Sequence, residues 1–314
     1  MKELFDIDLV YTWVDGNDLA WRRKHDAFTG VDNSKKDDDC KGRYADNDEL
    51  RYSLRAAELY APWIRKIFIV TDNQIPEWLD TSNPRVRVVD HKEIIPKEGL
   101  PCFNSQVIEH CLSRIPDLSE HFLYANDDMF FNREVYPIDF FADDGFPLVR
   151  LTRSHMRGLM IWMKEKLLRR GLSRYNMALR NASRLVKHSY GKYYYEKTHH
   201  NIDAYLKSDC LHVLNKFEKE IVPTLSNHLR GIDDIQRIVY SYVGLAEGRA
   251  HKVYVGKETS FMLRIHKWDR YKSLEEKNPK FFCLNDSQYA SDADRVKVRE
   301  FLKERFPNKS SFEK

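Results

Sequence analysis

Phe122-Leu-Tyr-Ala-Asn-Asp-Asp-Met-Phe-Phe131 decides the fold. An apolar run, Phe122 to Ala125, stops at Asn126-Asp127-Asp128, and a second apolar run follows at once. Unbroken apolar residues on both sides read as a strand buried in a sheet core. Such a strand delivers two adjacent carboxylates to its C-terminal edge, where open α/β sheets bind ligands. Burying two like charges is costly unless something compensates them. A divalent cation carrying a nucleotide pyrophosphate compensates them well. Asn and Asp also form plain turns, so this stretch alone supports either reading.

The pattern recurs outward in both directions. Phe5 to Val14 reads as a strand that runs into Asp15-Gly16-Asn17-Asp18, where Gly16 permits a sharp turn and a close approach to a ligand. Lys66 to Asp72 and Val86 to Asp90 are two further strands ending in a carboxylate, and Phe281 to Leu284 runs into Asn285-Asp286. Asp46 and Glu49 have the spacing of a helix cap and its capping-box partner. Arg51 and Arg55 follow one turn apart on that helix, facing phosphate or solvent. Asn104 to Ile115 reads as another helix. The order strand, helix, strand, strand, helix, strand predicts an α/β fold with a mostly parallel central sheet flanked by helices.

From Arg150 to Lys192 the chain is crowded with Lys and Arg and has almost no acids. Leu159, Met160, Met163, Leu167 and Leu168 recur at helical spacing. The expectation is one catalytic domain over 1–314 with a basic helical insertion or lid over 150–200. That insertion suits an anionic membrane surface, an anionic polymer or plain solvation. His199 and His200 precede a helix expected from Asp203 to about Glu220, where a histidine is well placed beside a bound anion. Arg230 opens a further helix, with Asp233 as its expected cap.

Composition narrows the classes. The 314 residues are 42% hydrophobic and 32% charged, enough for a sizeable core. A formal charge of +4 is too small to imply nucleic acid. The cysteines, Cys40, Cys102, Cys111, Cys210 and Cys283, are odd in number and form no CxxC pair. They argue for a reducing compartment and against zinc or a disulfide scaffold. No run of about 18 apolar residues exists, and the N-terminus lacks the apolar core of a signal peptide. The expected location is the cytoplasm, with peripheral contact at the inner membrane face through the basic insertion.

Four blocks taken in order resemble the Stealth family of sugar-1-phosphate transferases. They are Ile7-Asp-Leu-Val-Tyr-Thr-Trp-Val-Asp-Gly16; the stretch from Asn47 through Ile67–Asp72 to Phe131; the His199–Tyr205 region; and Phe282-Cys-Leu-Asn-Asp286 with Phe306–Glu313. Ala125 stands where a second leucine is expected. Bacterial members of that family make capsular or exopolysaccharides, and an animal relative tags lysosomal enzymes.

The resemblance implies a fold like the A-type nucleotide-sugar transferases. It also implies a nucleotide-diphospho-sugar donor, most often UDP-linked, and a glycan or lipid-linked glycan acceptor. The acceptor hydroxyl attacks the β-phosphorus, and the nucleoside monophosphate leaves. Phosphoryl transfer needs positioning, charge neutralisation and a proton acceptor. On that reading Asp127 and Asp128, with Asn285 and Asp286, hold Mg²⁺ or Mn²⁺. His200, or its neighbour His199, is the base or a phospho-histidine nucleophile. Arg230 faces the transferred phosphate. Asp15, Gly16, Asp72, Arg51 and Arg55 line the nucleotide end. Two competing functions share these features: a metal-dependent glycosyltransferase whose acceptor attacks C1 and releases UDP, and a non-catalytic polysaccharide- or membrane-binding module.

Overall fold

The strand Ile7–Thr12 (β1) shows why the chain folds in layers. Its residues are buried on both faces, Leu9 and Tyr11 in one core and Val10 in the other. A strand with two apolar faces belongs inside a sheet covered on both sides. The structure, a computed structural model, describes residues 5–29, 41–153, 163 and 172–314. In it β1 is the middle strand of a five-stranded sheet. With Ile67–Thr71 (β2), Val86–Asp90 (β3), His121–Asn126 (β4), Met129–Phe131 (β5), Leu148–Thr152 (β6), Lys197–Thr198 (β7) and Asp203–Leu206 (β8), the order is β3-β2-β1-β4-β8. The first four strands are parallel and β8 pairs antiparallel to β4. This is the mixed, mostly parallel α/β architecture expected.

Helices Glu49–Tyr60 and Asp292–Arg305 cover one face of the sheet. Ser105–Cys111, Arg174–Tyr190, Lys207–Lys216 and Ile238–Glu247 cover the other. Two smaller sheets complete the fold. With His251–Tyr254 (β9), Ser260–Arg264 (β10) and Phe281–Asn285 (β11), they are ordered β10-β11-β5 and β7-β6-β9. The four described cysteines are free and buried, and Cys40 lies outside the described residues. Among the described residues no helix is long and apolar enough to cross a membrane.

The decisive stretch changes sheets in mid-course. β4 lies in the large sheet, β5 in the β10-β11-β5 sheet, and Asp127-Asp128 form the turn between them. Tyr11 Oη bonds Ser53 Oγ at 2.7 Å, and Ser53 Oγ donates to the Met129 carbonyl at 2.6 Å. The Leu284 amide donates to the Asp128 carbonyl at 2.9 Å. The two carboxylates therefore ride on a turn held from the sheet, from a helix and from β11.

Several local expectations differ from the structure. His199 and His200 precede the edge strand β8, not a helix; the helix begins at Lys207. Pairing with β4 and burial on both faces outweigh helix propensity over Asp203–Leu206. The helix expected at Arg230 starts at Ile238, and Asp233 caps nothing. Most of the basic insertion expected over 150–200, including Leu159, Met160, Leu167 and Leu168, lies outside the described residues. Its described part contains the helix Arg174–Tyr190, capped by the Ser173 hydroxyl.

Candidate active site

A cleft of about 940 Å³ opens at the C-terminal ends of the parallel strands. One wall is acidic and carries Glu49, Asp127 and Asp128. Asp128 Oδ2 accepts from the Cys283 thiol at 3.3 Å, while its Oδ1 is buried without a hydrogen-bond partner. Burial raises Asp128 to about 6. Asp127 is pushed well above the carboxylate range by burial and by the charges of Asp128, Glu49 and Asp46. Glu49 rises to about 8 and Asp46 to about 6, in both cases first through burial. Four crowded carboxyl groups and one orphaned oxygen are a strained arrangement without a cation. Oxygen donors of this kind suit Mg²⁺.

The opposite wall is basic. His200, Arg230, Arg237, Lys197 and His199 line it. His200 sits at φ +54°, a left-handed conformation unusual for a residue with a side chain. Burial, with the nearby Arg237 charge, lowers its pKa to about 4, so the ring is neutral at pH 7. Ligand atoms of Asp128, His200 and Cys283 all lie within 4.8 Å of one another. Residues far apart in sequence thus converge on one point between the two walls.

Arg230 is aimed by its loop. Its guanidinium donates to Ser105 Oγ at 3.0 Å, and its carbonyl accepts from Arg174 at 2.9 Å. The buried Asn104 amide ties that loop down through the Leu229 carbonyl and Asp234 Oδ2. Asn104→Ala breaks both tethers. We expect a drop of about tenfold in turnover with little change in donor affinity, read from steady-state kinetics.

The structure does not bring every expected residue to the cleft. Arg51 and Arg55 do not line the cleft. They ion-pair with Glu313 at 2.6 and 2.7 Å, and Arg55 also donates to the Phe306 carbonyl. They clamp the segment around Glu313 onto the helix Glu49–Tyr60. Asp15 holds a turn, accepting from the Asn17 amide, and Gln74 brackets its backbone. Asp72 is buried and paired with Lys24. Gly16 does meet a close backbone approach, but from the chain itself: a Cβ there would lie 2.4 Å from the Tyr44 carbonyl oxygen. None of these five lines the cleft. Asn285 and Asp286 do, but both Asp286 oxygens are taken by Arg295 at 2.8 and 3.1 Å.

The Glu313 clamp makes its own prediction. Burial pushes this carboxyl up, but Arg55, the Ser310 amide and Arg51 outweigh it and pull it from 4.5 to about 2. A depressed carboxylate contributes stability that is present above about pH 4.5 and lost as pH falls toward 2. Glu313→Ala, which strands Arg55, is expected to cost about 3 kcal/mol in urea denaturation at neutral pH. Glu313→Gln is expected to flatten the acid limb of the wild-type stability curve.

Other site residues escape sequence reading. Glu49 caps no helix; its carboxylate accepts from the Asn47 amide and side chain and faces the acidic wall. Arg237 lies over the Tyr124 ring and pairs with Asp203 at 2.8 Å and Glu109 at 3.8 Å. The available signal is a charge abutting the wholly apolar Ile238-Val239, since buried charges survive only when paired.

Comparison with known proteins gives the family. The family models described as Stealth protein CR1, CR2 and CR4, conserved regions 1, 2 and 4, match residues 5–30, 43–149 and 272–314. The exopolysaccharide phosphotransferase cps2G of Lactiplantibacillus plantarum is 32% identical over 99% of this chain and 97% of its own length. The capsular polysaccharide phosphotransferase fcs1 of Haemophilus influenzae is 33% identical, covering 93% of this chain and 81% of its own. For SacB of Neisseria meningitidis serogroup A the identity is 32%, and this chain spans 57% of that protein. Among solved structures, the galactosyltransferase LgtC aligns over 97% of this chain at 12% identity and a TM-score of 0.44, too distant to bear on the site. The three matched regions and the relatives agree: this chain belongs to the Stealth family and is an enzyme of the phosphotransferase class.

Proposed function

We propose that the chain transfers a hexose-1-phosphate from a nucleotide-diphospho-sugar, UDP-linked in the first instance, to a hydroxyl of a cell-surface glycan. The observation that carries this reading is the cleft with an acidic and a basic wall meeting at Asp128 and His200. A Mg²⁺–pyrophosphate needs both: carboxylates for the cation, cations for the phosphates. Relatives named as capsular and exopolysaccharide phosphotransferases support the same class of reaction.

In this account Asp127 and Asp128 hold the cation, and Asn285 stands beside them. Asp286 is committed to Arg295 and orients β11 rather than binding metal. When bound, the cation neutralises charge on the pyrophosphate. Neutral His200 accepts the proton of the attacking acceptor hydroxyl. The hydroxyl oxygen bonds the β-phosphorus, the pyrophosphate P–O bond breaks, and the nucleoside monophosphate departs with the electron pair. Arg230 balances charge on the phosphoryl group in transit, and Arg237 supports that wall. The sugar's C1–O bond stays intact throughout.

The product carries the test. Phosphorus NMR of an acceptor glycan after incubation with Mg²⁺ and a panel of UDP-sugars is expected to show a new phosphodiester resonance. A lengthened glycan without phosphorus would contradict the reading.

A further inference from the structure

Three metal-binding side chains meet at the floor of the cleft, and the transfer reaction uses two of them. Ligand atoms of Asp128, His200 and Cys283 lie within 4.8 Å of one another. Each arrives on a different element. Asp128 sits on the turn between β4 and β5. Cys283 lies on β11 opposite Met129 in the antiparallel ladder with β5, which sets it beside that turn. His200 comes from the segment between β7 and β8, at φ +54°. No short spacing links the three, so no sequence motif announces them.

The donor set selects the metal. Mg²⁺ takes oxygen ligands and leaves a thiol unbound. A thiol, an imidazole and a carboxylate together suit Zn²⁺. Tetrahedral zinc holds a sulfur and an oxygen ligand about 3.5 Å apart. Cys283 Sγ and Asp128 Oδ2 are 3.3 Å apart. The other Asp128 oxygen is buried without a hydrogen-bond partner, an acceptor still to be used. The lack of a CxxC pair speaks against a structural zinc site, which four protein ligands close. Three ligands with an open position make a different kind of site. Asp128 and His200 line the cleft, which leaves the fourth position to water. Cys283 is fully buried, so what reaches it is a small ion rather than a bulky reagent.

We propose that Asp128, His200 and Cys283 form an inhibitory site for zinc. Binding releases the thiol proton to solvent and makes Sγ a thiolate ligand. The imidazole commits its lone pair to the metal, and the Asp128 carboxylate is taken from Mg²⁺. The site itself stands on the geometry. Its inhibitory effect rests on the transfer reading, in which Asp128 holds the catalytic cation and His200 takes a proton. One zinc ion therefore disarms both walls of the cleft, and Mg²⁺ competes with it for Asp128.

Cobalt(II) reads the site without any nucleotide. It takes the place of zinc, and a thiolate ligand gives it an intense charge-transfer band in the near ultraviolet. The full chain, freed of metal and kept reduced with a phosphine, is expected to bind Co²⁺ with that band, and added Zn²⁺ to abolish it. Cys283→Ser and Cys283→Ala are each expected to lose the band. They are also expected to weaken zinc binding at least about a hundredfold, the upper end of what losing an outer-shell partner costs. Cys40→Ser and Cys102→Ser are expected to keep the band. No band in the wild type, or a band that survives Cys283→Ser, would overturn the site. Inhibition is then read as turnover with zinc against each variant's own zinc-free rate. Zinc is expected to abolish wild-type turnover at a half-inhibiting concentration that rises with Mg²⁺. Equal inhibition of the wild type and Cys283→Ser would overturn the inhibitory role. Failure of the transfer reading appears elsewhere, in the identity of the released nucleotide, which the cobalt spectrum does not use.

Discussion

Asp128→Asn is expected to lower acceptor-dependent turnover by about a thousandfold while leaving the fold as stable as before, or more so. The two halves of that result come from one feature. Asp128 sits on the turn where the chain leaves the large sheet, with one oxygen bonded to Cys283 and the other buried without a partner. Around it Asp127 is raised by burial and by the charges of Asp128, Glu49 and Asp46; Glu49 is raised by burial and Asp46, and Asp46 by burial, Asp48 and Asp15. Such crowding opposes folding, and a neutral isostere relieves it. In metal-free buffer the variant's melting temperature should hold or rise. The wild type should gain stability on adding Mg²⁺, because a ligand that binds only the folded state shifts the equilibrium toward it. The variant should lose most of that gain. Turnover within a few-fold of wild type would remove Asp128 from the site.

His200→Asn is the second large effect, a loss of about 10²–10⁴ in turnover, the usual worth of a positioned base. Asn suits this backbone: at φ +54° it is among the side-chain-bearing residues that best tolerate the left-handed region. The variant should therefore fold, and the loss should be chemical. Burial and Arg237 keep the wild-type ring neutral above about pH 4, so it can accept a proton at neutral pH. Protonation on acidification below the ordinary value of 6.5 works against the folded state, down to about 4. His200→Gly with added imidazole should regain part of the rate if the ring serves as a base. His199 makes the contrast. Its ring is buried against Asp203 at 3.3 Å and edge-on to Phe281, so its replacement should cost stability before chemistry.

How much of this was legible in the sequence follows from range. The parallel strands were readable because burial on both faces leaves an unbroken apolar run, as in Ile67–Thr71 and Phe122–Ala125. Asp127 and Asp128 were readable as a carboxylate pair at the end of such a run, and the same two residues also form the turn that the sequence allowed. What failed depended on partners distant in the chain. Arg51 and Arg55 looked like phosphate ligands until Glu313 appeared across the helix. Glu49 looked like a capping residue, yet Asp48 adopts a left-handed conformation and the carboxylate turns to Asn47. Over Asp203–Leu206 local propensity pointed to helix, and pairing with β4 made it strand. The closeness of His200 to Asp128 rests on β8 folding back beside β4 and on β11 packing against β5, which no local pattern announces.

The central claim is attack at phosphorus rather than at the sugar carbon, and the released nucleotide tests it most directly. The protein, Mg²⁺, a panel of UDP-sugars and short acceptor glycans would be incubated together and the nucleotides resolved by chromatography. The account predicts UMP, formed only when acceptor is present and lost with Asp128→Asn. Acceptor-dependent UDP would place the attack at C1 and contradict the roles given to His200 and Arg230.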